Sequence, residues 1–131
     1  MKKERIFSEI VDEPPPKLWS NCMRIGDVVY ISGLTARRGD NVTIAGEDEY
    51  AQARIIFSKI EAYMKASGGV MDDIVQMVIY VTNIVNNKKV WKAREEFFSG
   101  DFPTCALVEV SNLASPEILV EISATAHIGC S

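Results

Sequence analysis

Apolar residues recur with two periods along this chain, and the change of period marks out its elements. Between Glu47 and Ala66, Tyr50, Ala53, Phe57, Ile60 and Met64 fall on one helical face, with Ile56 and Tyr63 beside it. Glu47, Asp48 and Glu49 stand in the first turn, where the helix dipole favours negative charge, and Gly68-Gly69 ends the pattern. "IVQMVIYVTN" (74–83) alternates and is β-branched, so it predicts a strand. "KKVWKAREEFF" (88–98) predicts a second helix, capped by Asn86 or Asn87 and stopped near Gly100.

The early chain is strand-like. "RIFSEI" (5–10) alternates loosely and suits an edge strand, and the triple proline at 14–16 is an extended spacer. "WSNCMRIGDVVYISG" (19–33) reads as a hairpin turning at Gly26-Asp27, with Val28 to Ile31 as a buried strand. "RRGDN" (37–41) reads as a second turn. Two further strands, Thr104–Val110 and Ile118–Ile128, close the chain.

The order β-β-β-α-β-α-β-β predicts one α+β domain over residues 1–131: a mixed sheet with both helices packed on one face. In the last strand Ile118, Val120, Ile122, Ala124, Ala126 and Ile128 suit the helix side. Leu119, Glu121, Ser123, Thr125 and His127 alternate with them and would line the other face. A half-polar face of this kind suits a subunit interface holding a wet cleft.

Composition narrows the classes. The 131 residues carry 24% charged residues, a net charge of −4 and a pI near 5.0, with no basic stripe to hold nucleic acid. The N-terminus lacks the apolar run of a secretory signal and no stretch reaches membrane-spanning length, so a soluble cytoplasmic protein is expected. Cys22, Cys105 and Cys130 show no CxxC spacing, which points to buried free thiols rather than a disulfide framework or a zinc site. His127 is the sole histidine, which excludes metal sites built from several imidazoles. GxSxG and phosphate-loop motifs are absent.

Four blocks carry a resemblance: "IGDVVYISGLT" (25–35), "DDIVQMVIYVTNI" (72–84), "EEFFSGDFPTCALVEV" (95–110) and "LVEISATA" (119–126). In content and order they resemble the RidA (YjgF) family, also described as endoribonuclease L-PSP or translation initiation inhibitor proteins. The resemblance implies a chorismate-mutase-like fold, a homotrimer and ligand clefts between subunits. It implies hydrolysis of reactive enamines or imines to ammonia and a 2-keto acid, without metal or cofactor. Residue by residue, the water-positioning glutamate falls on Glu121 and the aromatic pocket cover on Trp19. The "SG" turn falls on Ser32 and Gly33, an asparagine of the second helix on Trp91, and the carboxylate-binding arginine on Cys105. A thiol cannot form the bidentate pair a guanidinium gives. Arg37 and Arg38 are the nearest replacement cations by motif order.

Each residue also has a plainer reading. Glu121 could be a structural carboxylate, and Trp19 and Trp91 could serve subunit packing. Glu109, on a strand taken as adjacent, reads as a structural carboxylate, and the two acids together could form a catalytic pair. A Cys105–His127 dyad would need the two side chains to meet. For the whole protein, the alternatives to a deaminase are a small-metabolite-binding or regulatory module without turnover and a ribonuclease or translation inhibitor. The acidic charge balance opposes the last.

Overall fold

The structure, a computed structural model, describes residues 1–40 and 42–131. Six strands form one sheet: β1 (Glu4–Arg5), β2 (Cys22–Ile25), β3 (Val28–Leu34), β4 (Ile74–Val81), β5 (Thr104–Glu109) and β6 (Val120–His127). Their spatial order is β1-β2-β3-β6-β4-β5. Only the β4–β5 pair is parallel, as its helical crossover requires; the other neighbours are antiparallel.

Helix α1 (Glu49–Ala66) starts where Asp48 accepts a hydrogen bond from the Ala51 amide, and ends as Gly68 turns into the left-handed region. Helix α2 (Asn87–Glu95) starts at Asn86, which makes no side-chain cap. The Asn86 amide donates instead to Glu49 Oε2 at 2.7 Å, tying the starts of the two helices together.

Both helices bury the same face of the sheet. Ala53, Ile56, Phe57, Ile60, Tyr63 and Met64 of α1 are all fully buried, and so are Val90 and Ala93 of α2. From β6 Val120, Ile122, Ala124 and Ala126 meet them, while Leu119, Glu121, Ser123 and Thr125 stay half-exposed. The alternation expected for this strand is therefore present. Burial of each large apolar side chain stabilises the fold by about 1.5–3 kcal/mol before entropy is counted.

Several details differ from the sequence reading. The first edge strand spans only Glu4–Arg5. Strand β3 is not buried throughout: Val29, Ile31 and Leu34 are inside, but Tyr30 is 49% exposed on the open face. Of the three cysteines only Cys22 is buried; Cys105 lies on the edge strand β5 and Cys130 near the end of the chain. Asn41 of the second turn lies outside the described residues. The rest of that turn is a short hairpin, with Arg38 N donating to Thr43 O and the Asp40 carboxylate accepting from both Val42 N and Thr43 N.

Candidate functional site

Strand β3 advances three steps from Ile31 to Leu34 while β6 advances two from Ala124 to Ile122. One extra residue makes a bulge around Ser32 and Gly33 and bends the backbone there. Ser32 is fixed by this turn: its amide donates to Asn21 O at 2.9 Å and its hydroxyl to Ser20 O at 2.6 Å. Gly33 leaves room for the side chain of Glu121. A Cβ added at Gly33 would lie 2.9 Å from Glu121 Cδ. A glycine is therefore needed here for close approach, not for an unusual backbone angle.

Glu121 projects from the half-polar face, with Tyr80 as its partner on β4. It makes no hydrogen bond or ion pair with the described residues. Partial burial alone raises its pKa above the usual carboxylate range. A half-buried carboxylate with no partner can accept a proton from water or hold one for a leaving group.

Beyond Gly33 opens a cavity of about 270 Å³. Pro14, Pro15, Leu18 and Trp19 form one wall, Gly33 to Thr35 another, and Arg37, Arg38 and Lys59 bring positive charge. Trp19 is 54% exposed, yet its indole N–H donates to Asn21 Oδ1 at 3.0 Å, which orients the ring. Asn21 Nδ2 donates to the Tyr63 hydroxyl at 3.0 Å. Tyr63 in turn donates to Glu13, whose other oxygen pairs with Arg5 at 2.8 Å. Burial, then the Glu13 carboxylate, raises the Tyr63 pKa. Lys59 Nζ donates to the carbonyls of Thr35 and Arg37 at 2.8 and 2.7 Å, and burial lowers its pKa.

The structure thus brings Trp19, Ser32, Gly33 and Glu121 to one end of the sheet, and puts Arg37 and Arg38 on the cavity wall. Trp91 and Cys105 are elsewhere. Cys105 pairs with Met77, which is 1% exposed, so its side chain takes the helix side at the β5 edge. Trp91 is 40% exposed on α2. Strand β4 separates β5 from β6, and Glu121 points to the opposite face from Cys105.

The same register corrects two readings. Glu109 pairs with buried Val81 and Glu121 with Tyr80, so the two carboxyl groups face opposite sides of the sheet, with a strand between them. Glu109 instead accepts from the Ile84 amide at 3.0 Å. His127 pairs with Val28 at the far end of β6 and is exposed, so no dyad with Cys105 forms. Sequence reading missed Asn21, Tyr63, Glu13 and Lys59, whose roles depend on contacts distant along the chain.

A family model described as endoribonuclease L-PSP matches residues 11–128. A Pseudomonas aeruginosa protein of unknown function is 34% identical, with a TM-score of 0.87 over 98% of this chain and 94% of its own. A Mycobacterium tuberculosis member of the YjgF/YER057c/UK114 family is 29% identical, with a TM-score of 0.82 over 97% of this chain and 100% of its own. A Yersinia pestis protein of the conserved Rid family is 28% identical, with a TM-score of 0.86 over 97% and 100%.

Proposed function

The chain belongs to the endoribonuclease L-PSP family, also called YjgF or RidA, and on that premise we propose that it hydrolyses a reactive enamine or imine. The observation that carries this reading is Glu121: an unpartnered, half-buried carboxyl group with a raised pKa, seated against Gly33 beside a cavity. Water adds to the imine carbon and forms the new C–O bond while Glu121 takes its proton. The C=N double bond becomes a single bond to an amine. Glu121 returns the proton to that nitrogen to give a carbinolamine, then takes the hydroxyl proton and passes it to the same nitrogen, so that the C–N bond breaks and ammonia leaves as the carbonyl forms. The balance needs only water.

Trp19 closes the cavity over the substrate. The half-polar sheet face and the separation of Trp91 and Cys105 from Glu121 favour a homotrimer, with each cleft built from two subunits. No nucleic acid or membrane partner enters this reading, and no helix of the described residues is long and apolar enough to cross a membrane.

One observation favours a competing reading, a metabolite-binding module without turnover. Cys105 stands on the edge strand β5 as an exposed free thiol, which cannot form a bidentate pair with a carboxylate. The deciding experiment measures ammonia and keto-acid release from freshly generated 2-imino acids. Wild type should turn over, and Glu121→Ala should lose about 10²- to 10⁴-fold, the usual contribution of a general acid–base group. Unchanged turnover in the variant removes Glu121 from the mechanism. Saturable binding with no ammonia release from wild type selects the binding module.

A further inference from the structure

The cavity beyond Gly33 is lined by charges of both signs, and two of them have no partner. Asp12 comes from the N-terminal segment and Arg38 from the hairpin after β3. Among the described residues no ion pair engages either side chain, and none joins the two to each other. Asp40 feels the charge of Arg38, but its oxygens accept from Val42 and Thr43.

The other charges on the wall are already engaged. Glu13 accepts from Tyr63 and pairs with Arg5. Lys59 donates to the carbonyls of Thr35 and Arg37, and Arg37 has a contact of its own.

Backbone contacts hold the two unpaired residues in place. The Asp12 carbonyl accepts from Asn21 Nδ2 at 3.2 Å. The Asp12 carboxyl group lies on Gly39, where an added Cβ would come within 2.9 Å of its Cγ. The Arg38 amide donates to Thr43 O at 2.8 Å. Both charged heads stay available to a ligand.

A simple anion would gain Arg38 but bring its charge towards Asp12, and a simple cation would meet the reverse conflict. A ligand carrying both charges satisfies both groups, and the unmatched charge disfavours its competitors. The remaining wall is apolar: Pro14, Pro15, Leu18 and Trp19. Leu18 and Trp19 are 60% and 54% exposed, surface that an apolar side chain would cover. The volume of about 270 Å³ suits a ligand smaller than the drug-sized occupants of roughly 300–1,000 Å³ sites.

We propose that this cavity binds a free α-amino acid with a large apolar side chain. Its ammonium group pairs with Asp12, its carboxylate with Arg38, and its side chain lies against Leu18 and Trp19. Glu121 is not on the lining, so binding here does not depend on the imine-hydrolase reading. Where that reading holds, the amino acid shares the Trp19 wall with the substrate and slows ammonia release.

The test uses the full chain at neutral pH and three probes of one shape, titrated by calorimetry. L-phenylalanine carries both charges, 3-phenylpropanoate lacks the ammonium, and phenethylamine lacks the carboxylate. Wild type should bind L-phenylalanine about 10-fold tighter than either analogue, the low end for charge-assisted hydrogen bonds because both protein groups are exposed. Asp12→Asn should abolish the preference over 3-phenylpropanoate and leave the preference over phenethylamine. Arg38→Gln should do the opposite. Trp19→Ala should weaken all three equally. A merely structural role for Asp12 or Arg38 would not give this crossed pattern.

Equal binding of L-phenylalanine and 3-phenylpropanoate by wild type would make the cavity a plain anion site and overturn the proposal. A preference that survives in the variant meant to remove it overturns it as well, and so does wild type that binds no probe at millimolar concentration. Ammonia release from 2-imino acids, measured without probes, decides the hydrolase reading separately.

Discussion

Glu121 rests directly on the backbone of Gly33, so that a Cβ added there would come within 3.1 Å of its Cγ and 2.9 Å of its Cδ. Gly33→Ala should therefore push the carboxyl group aside without unfolding the sheet, because Gly33 has no positive φ that an alanine would strain. Displacing a catalytic group by about 1 Å can cost on the order of 100-fold in rate. We expect a loss of that size in ammonia release, with an unchanged circular dichroism spectrum. Wild-type rates in Gly33→Ala would mean that this contact does not position the carboxylate.

The raised pKa of Glu121 also fixes how stability varies with pH. Burial is its cause, so the folded state holds the proton to a higher pH than the unfolded chain does. The contribution to stability is fully present below the unfolded pKa and is lost as pH rises through the raised folded value. Glu121→Gln has no proton to lose. Its melting temperature should match wild type in acid and exceed it near neutrality. Parallel curves across that window would show that the group is not desolvated. In the active protein the deprotonated form is the base, so turnover should rise with pH over the same window.

Much of this arrangement could be read from the sequence, because strong periodicity reports local geometry. The run Ile118 to Ile128 predicted which side of β6 faces the helices, and Asp48 sits where the helix dipole and capping favour it. Strand order was less legible. The expected adjacency of Glu109 and Glu121 fails because β4 lies between their strands; pairing between distant segments leaves no periodic trace in either strand. The face of Cys105 follows from its parallel register with β4, which the sequence does not encode locally.

The last prediction concerns the network behind Trp19. Tyr63 is fully buried in α1, donates to Glu13 and accepts from Asn21 Nδ2 at 3.0 Å. Asn21 holds the Trp19 indole at 3.0 Å and also donates to Asp12 O at 3.2 Å, so one hydroxyl links α1 to the wall of the cavity. Tyr63→Phe keeps the ring and removes that link. It leaves one Glu13 oxygen and one Asn21 N–H without the partner they have now. Breaking a buried hydrogen bond on one side costs about 1–3 kcal/mol, because the group left behind stays desolvated. Urea denaturation should show a loss in that range. The emission of Trp19 should shift as well, in a Trp91→Phe background where it is the sole indole. A loss within about 0.5 kcal/mol, the range of an ordinary surface change, would mean that water replaces the hydroxyl and that the network does not hold Trp19 in place.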